Sequence, residues 1–293
     1  MNIKQILENG IKVLKENNID DALLKSKILL CYILNVEKEY LIIHNKEEMA
    51  KEVVDKFNTY INRLINNEPL QYITNKQEFM GLEFYVDNRV LIPQPDTEIL
   101  VEEVINICVG AGFHPCPNKN IKILDLCTGS GAIGISIAKY IENCKITLSD
   151  ISKDALEVAI QNYNNIVGAN CVRPQNNKII QSDLFENIED KFDIIVSNPP
   201  YIKTDIIKTL GKEVQNEPIL ALDGGKDGLD IYRKIIEQSY KYLNENGYLC
   251  LEIGYDQKDE VISLIKETEK YTNIYSKKDL SGNDRIVVCK KEN

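Results

Sequence analysis

The run Phe192-Asp193-Ile194-Ile195-Val196, followed by Ser197-Asn198-Pro199-Pro200-Tyr201, restricts the possible folds more than any other stretch. Apolar and β-branched, the first part reads as a buried strand. Two consecutive prolines cannot extend a central strand, because neither has an N–H for the ladder. The strand therefore stops and leaves Asn198 at its carboxyl end, where open α/β sheets hold their ligands. The prolines also fix φ twice, so the carbonyls around Asn198 and Pro199 take set directions where N–H groups are missing. A small rigid cup of acceptors results: the Asn198 side-chain oxygen and a backbone carbonyl, with the Tyr201 ring beside them. Such a cup suits a planar –NH2 group. The same residues also fit an ordinary Asn-Pro turn after a strand, so the stretches upstream must decide.

Ile121-Lys122-Ile123-Leu124-Asp125 reads as the first central strand, and Leu126 to Gly134 as a turn that runs into a helix. Gly129, Gly131 and Gly134 fit the dinucleotide spacing G-x-G-x-x-G, a weak signal alone. Glycines here permit positive φ and let a ligand approach the helix N-terminus. Two acids sharpen the reading. Asp125 closes the strand just before the turn, where a carboxylate favours the cationic methionine end of S-adenosyl-L-methionine and would repel a pyrophosphate. Asp150 ends a second strand, Lys145–Ser149, placed to accept hydrogen bonds from a ribose diol. After a third strand over 179–182, Asp183-Leu184-Phe185 offers an acid and an apolar face to an adenine ring.

Helix–strand alternation resumes with a helix over 232–243, a strand over 247–253, a helix over 257–267 and a last strand over 285–289. This is a doubly wound α/β pattern. Residues 1–70 read instead as helices, with the clearest helical spacing at Val53, Phe57, Tyr60, Ile61 and Leu64. Asp20 and Asp21 have the character of a cap before the second helix. From Glu78 to Ile92 the period changes to two, predicting a β-hairpin with its turn at Asp87-Asn88. Pro93-Gln94-Pro95 ends it, and Asp96 or Thr97 caps the next helix. A loop follows over 110–120.

The formal net charge of −10 argues against a chain whose main partner is a phosphate backbone. The longest apolar run, Ile28 to Leu34, is too short to span a bilayer. The N-terminus lacks a signal-peptide core, so a cytoplasmic protein is expected. The eight cysteines form no C-x-x-C pair, which favours free thiols over zinc or disulfides. His114 and Cys116 share a loop without a second ligand pair, so no metal site is expected.

Taken in order, these motifs resemble the class I S-adenosylmethionine-dependent methyltransferases, and more narrowly the protein-glutamine methyltransferases of peptide-chain release factors (the HemK/PrmC family). The matching stretches include Glu68–Ile73, Phe79–Leu82, Arg89–Pro93, Pro95–Glu98, Asp125–Gly134, Ser182–Phe185 and Asn198–Tyr201. They continue through Glu217-Pro218, Gly224-Gly225, Asp227–Leu229, Tyr232-Arg233, Leu251–Gly254 and Asp284-Arg285. The resemblance implies a Rossmann-like, seven-stranded methyltransferase domain over 96–293. A helical bundle over 1–72, which recognises the release factor, and a β-hairpin linker over 73–95 precede it. It further implies S-adenosyl-L-methionine held by Asp125, Cys127, Thr128, Gly129, Ser130, Gly131, Asp150, Asp183, Leu184 and Asn198. The substrate glutamine amide would be gripped by Asn198 and the Pro199 carbonyl and flanked by Pro200 and Tyr201. A role in translation termination, a monomer, and no direct contact with nucleic acid or membrane go with that reading. Two residues depart from the family pattern: Cys127 stands where the turn usually has its first glycine, and Gln94 where an arginine is common. A ribosomal-protein glutamine methyltransferase would share the chemistry. An adenine-amino methyltransferase would use the same cup for a flipped base, but the acidic charge and the lack of a basic target domain count against it.

Overall fold

The computed structural model describes residues 1–110, 120–168 and 177–292. The chain divides into two compact units, one of residues 1–76 with 211–216 and one of 77–210 with 217–293.

The first unit is helical: α1 (Ile3–Glu16), α2 (Ala22–Leu34), α3 (Lys38–Ile43), α4 (Lys51–Ile65) and α5 (Leu70–Thr74). The polar residue Asn2 starts α1 by accepting from the Gln5 N–H, while the Gln5 side chain returns the bond to the Asn2 N–H. Ile3, Ile6 and Leu14 on α1 meet Leu29 and Leu30 on α2 and Phe57, Ile61 and Leu64 on α4 in a buried core. A Cβ on Gly10 would sit 2.7 Å from the Phe57 ring, so the glycine lets α1 and α4 approach. The cap expected from Asp21 is absent. That residue takes φ 54° and makes no side-chain cap bond, in place of the extended backbone from which a capping side chain reaches the helix N–H groups.

The second unit opens with a hairpin of β1 (Gln77–Phe79) and β2 (Leu82–Phe84). Its turn is Met80-Gly81, both at positive φ (51° and 65°), the combination that suits a two-residue hairpin. The expected turn at Asp87-Asn88 is a separate one. There the Asp87 side chain accepts from the Arg89 N–H at 3.0 Å and from the Arg89 guanidinium. A methionine at positive φ gives little signal, whereas Asp-Asn gives a strong one. Phe79 and Phe84 are fully buried and meet edge to face, their ring centroids 6.1 Å apart.

The rest of the unit is a seven-stranded sheet: β3 (Ile121–Leu126), β4 (Cys144–Asp150), β5 (Lys178–Gln181), β6 (Phe192–Ser197), β7 (Leu243–Glu252), β8 (Tyr271–Lys278) and β9 (Asp284–Lys291). The spatial order is β5-β4-β3-β6-β7-β9-β8, and only β9 runs against its neighbours. Periodicity marks six of these strands and misses β8. There Asn273 takes φ 48° and the register slips between Thr272 and Tyr275, so the alternation is broken. Between the strands lie α6 (Glu98–Gly110), α7 (Ala132–Tyr140), α8 (Lys153–Tyr163), α9 (Ile219–Leu222), α10 (Asp230–Tyr242) and α11 (Lys258–Glu267). One apolar cluster joins α6 and α7 to one side of the sheet, and a second joins α10 and α11 to the other. The doubly wound order reverses between β3 and β6, which opens a crevice at their carboxyl ends. The histidine and cysteine at 114 and 116 lie outside the described residues. Among the described residues no group of three or more His, Cys, Asp or Glu is placed to hold a metal. No helix there is long and apolar enough to cross a membrane.

Candidate active site

The parallel register pairs Leu126 with Ser197 and Leu126 with Ser149. Cys127 and Asn198 are therefore the first residues beyond β3 and β6, level with Asp150, the last residue of β4. The Ser197 hydroxyl donates to the Leu126 carbonyl at 2.6 Å and ties two of those ends together. Beyond them lies a cleft of about 910 Å³ including its open mouth, a size that holds a ligand as large as a nucleoside.

Of the residues expected to hold the cofactor, Cys127, Gly129, Asp150, Asp183, Leu184 and Asn198 line this cleft. Asp150 is anchored from behind: Oδ2 accepts from the Gly129 N–H at 2.8 Å and Oδ1 from the Ser152 N–H at 2.9 Å. A carboxylate accepts about four hydrogen bonds, so lone pairs remain for a ribose diol. Burial raises its pKa, and the backbone donors oppose the shift. Leu184 stands at φ 49°, in a loop held by the Ser182 hydroxyl, which donates to the Leu184 carbonyl and accepts from the Asn187 N–H.

Asp125, Thr128, Ser130 and Gly131 do not line the cleft. They are buried in the strand end and turn that carry Cys127 and Gly129. Asp125 is fully buried, and its Oδ2 accepts from the Thr128 hydroxyl at 2.5 Å and the Gly134 N–H at 2.9 Å. Its Oδ1 has no hydrogen-bond partner among the described residues. Burial lifts this carboxyl to about 7 despite those two donors. The glycines divide their work. A Cβ at Gly134 would lie 2.3 Å from Leu148 Cδ2 and 2.9 Å from Asp125 Oδ2, whereas one at Gly129 would meet nothing within 4 Å. Gly134 thus serves helix-to-strand packing, and Gly129 leaves backbone open to a ligand. Cys127 takes φ 62°, the left-handed conformation that a glycine adopts without strain.

On the acceptor side, Asn198 and Pro200 line the cleft, whereas Pro199 is buried and Tyr201 points elsewhere. The Tyr201 hydroxyl reaches Glu252 Oε1 at 3.4 Å. Its ring was expected to flank the amide, but the ring instead packs against the α10–α11 core. The Asn198 Nδ2 donates to Thr97 Oγ1 at 3.4 Å. Behind this segment the Gln257 side chain donates to the Tyr201 carbonyl at 3.0 Å, and the Ile202 N–H donates to the Leu222 carbonyl at 2.9 Å. A Cβ on Gly224 would lie 2.7 Å from Tyr201 Cα, so the glycine there permits the close fit. Gln94 is exposed and donates to the Ile92 carbonyl at 3.0 Å.

Sequence reasoning gave no site role to Arg89, Leu91, Ile151 and Ser152, which line the cleft, or to Thr97, which accepts from Asn198. Arg89, Leu91 and Thr97 lie within the matched stretches 89–93 and 95–98, so their signal was present without a site role attached. The orphaned Asp125 oxygen, the half-engaged Asp150 carboxylate and the open face of Gly129 fit S-adenosyl-L-methionine, with its cationic, diol-bearing structure.

Comparison with known proteins places these features. Residues 5–74 match the PrmC N-terminal domain and residues 113–279 the methyltransferase small domain. The chain is 41% identical to the release factor glutamine methyltransferase of Clostridium acetobutylicum, over 99% of this chain and 98% of that one. It is 38% identical to the protein of the same name from Clostridium botulinum, over 99% and 100%. A methyltransferase structure from Pyrococcus furiosus is similar in fold, with a TM-score of 0.50 at 18% identity over 80% of this chain and all of that one. From its bundle to its last strand, the chain belongs to the release factor glutamine methyltransferase family.

Proposed function

We propose that this chain transfers a methyl group from S-adenosyl-L-methionine to the side-chain amide nitrogen of the glutamine in the Gly-Gly-Gln motif of peptide-chain release factors. One observation carries the reading. A chain similar over its whole length to release factor glutamine methyltransferases sets Asn198 beside a buried Pro199 at the lip of a cleft that fits the cofactor.

The bound cofactor supplies an electrophilic methyl group. The protein's own residues do the rest. Asp150 would accept from the ribose, the Asp183–Leu184 segment would take the adenine, and the turn from Cys127 to Gly131 would hold the methionine end. An amide nitrogen is a poor nucleophile because its lone pair is delocalised into the carbonyl. Asn198 Oδ1 and the Pro199 carbonyl would accept its two hydrogens, aim the nitrogen at the cofactor and stabilise the positive charge that grows on it during attack, after which one N–H proton is lost to solvent. Their missing N–H groups matter here, since Pro199 and Pro200 offer no donor to compete for the substrate's carbonyl. The helical first unit recognises the release factor, and the enzyme works as a monomer in the cytoplasm. Tandem mass spectrometry of a purified release factor incubated with the protein and cofactor tests the reading. A single methyl on the side-chain nitrogen of the Gly-Gly-Gln glutamine is expected, and a methyl elsewhere or none contradicts it.

A further inference from the structure

Ile219 and Leu220 open α9, and their side chains stand out in solvent at 64% and 57% exposure. A single exposed aliphatic side chain is ordinary. An adjacent pair on one short turn makes a patch, and this patch borders the cleft, which Leu220 lines together with Pro218 and Ala221. Leu222, the last residue of the turn, is buried and anchors it.

The backbone keeps the pair outward. The Ala221 N–H donates to the Pro218 carbonyl and the Asp223 N–H to the Ile219 carbonyl, both at 2.9 Å. Ahead of the turn the buried Glu217 carboxylate accepts from the Ile92 N–H at 2.9 Å, which ties the turn to the stretch that carries Val90 and Leu91, also part of the cleft lining. At its far end the Ile202 N–H donates to the Leu222 carbonyl at 2.9 Å and the Gly224 N–H to the Ile202 carbonyl at 2.8 Å. Asp223 Oδ1 accepts from the Thr204 hydroxyl at 2.6 Å and the Gly225 N–H at 2.9 Å. A partner that covers the pair therefore meets a surface already ordered, and little freedom is lost on contact.

The position of the patch identifies the partner. The residues that fit the cofactor belong to the ends of β3, β4 and β5. Ile202 instead follows directly on Asn198–Tyr201, so its two backbone bonds set the patch beside the segment that grips the methyl acceptor. The occupant must hand a side-chain amide to Asn198 while its own main chain passes along the turn. Two glycines ahead of the glutamine carry no side chains to hold that main chain away. We propose that Ile219 and Leu220 are the apolar landing on which the glutamine-bearing loop of the release factor docks, the covered pair excluding water from the amide. This rests on the reading that the acceptor is the Gly-Gly-Gln glutamine of a release factor.

The experiment uses the full chain and the variants Ile219→Gln, Leu220→Gln, the two combined, Leu220→Met, and Val109→Gln as a control, Val109 being 72% exposed on α6 and no part of the cleft lining. Steady-state methyl transfer to a purified release factor, calorimetric binding of S-adenosyl-L-methionine and sedimentation are measured. Each single glutamine variant should raise KM for the factor about 10-fold, and the double variant further, with kcat kept within about twofold and cofactor affinity and Tm kept. Leu220→Met and Val109→Gln should behave as wild type. An unchanged KM in the double variant, an equal rise in Val109→Gln, or cofactor affinity lost in step with KM overturns the proposal. So does a wild-type dimer that the double variant dissolves, which would give the patch to a second copy of the chain. Should the double variant fail to fold, the single variants decide. A wild-type protein that methylates no release factor overturns the substrate reading and this proposal together, whereas wild-type turnover with an unchanged KM in the variants overturns this proposal alone.

Discussion

Replacing Asp125 by Asn should make the protein more stable, and increasingly so as pH rises. The carboxyl is fully buried and raised from its ordinary 3.8 to about 7, chiefly by burial. Because the folded-state pKa lies above the unfolded one, the native protein holds this proton between about pH 4 and 7 while the unfolded chain releases it. Stability from this group is therefore greatest below the unfolded pKa and falls as pH rises through the folded one. A displacement of about three units sets an upper bound of about 4 kcal/mol above pH 7, and about 1–3 kcal/mol is expected at a realistic effective dielectric. At pH 4.5 the same reasoning leaves less than about 1 kcal/mol. Asparagine is nearly the same shape, and its oxygen can still accept from the Thr128 hydroxyl and the Gly134 N–H, the two donors on Asp125 Oδ2. Thermal unfolding of both proteins from pH 4.5 to 8.5 is the assay, since every other titrating group is common to the pair. Tm should differ little at the acid end and by several degrees at pH 8, at about 2–4 °C per kcal/mol for a chain of this size. A difference that stays constant, or shrinks as pH rises, would refute the argument that an uncompensated charge sits beneath the turn.

Asn198→Ala should cut methyl transfer about 100-fold or more and leave calorimetric affinity for S-adenosyl-L-methionine nearly unchanged; equal loss of both would remove the residue from the acceptor grip. Gly134→Ala should cost about 2–3 kcal/mol in urea unfolding through its contacts with Leu148 and Asp125, whereas Gly129→Ala should lose cofactor affinity with a stability cost of about 1 kcal/mol. Cys127→Gly should raise stability by about 1 kcal/mol, because it relieves a left-handed backbone at φ 62°; unchanged or lowered Tm would show that the thiol's packing outweighs the strain.

The sheet and the lip of the cleft are legible in the sequence for a simple reason. Phe192–Val196 is apolar apart from Asp193 and Pro199-Pro200 cannot continue it, so the strand, its stop and the place of Asn198 at its end follow from local chemistry. The glycine turn after β3 is equally local. What escapes depends on contacts across long separations. Thr97 becomes informative only when the fold sets its hydroxyl 3.4 Å from the Asn198 side-chain nitrogen, far away in sequence. Tyr201 gives no local sign that its hydroxyl turns to Glu252 rather than to the cleft. Likewise Asp125 ends a strand where a ligand contact was expected, yet Thr128 and Gly134 fold over it and bury it. The misplaced hairpin turn has the opposite cause: Asp87-Asn88 carries a strong local signal that serves the Arg89 side chain, while Met80 takes positive φ because the Phe79–Leu82 pairing leaves a two-residue turn.

The central claim is that Asn198 and Pro199 present a glutamine amide of a release factor to the cofactor. Its most direct test is methyl transfer from labelled S-adenosyl-L-methionine to a purified release factor, run beside the same factor with its Gly-Gly-Gln glutamine changed to alanine. Label on the first and none on the second is the predicted result. Equal label on both, or none on either while the cofactor still binds, would contradict it.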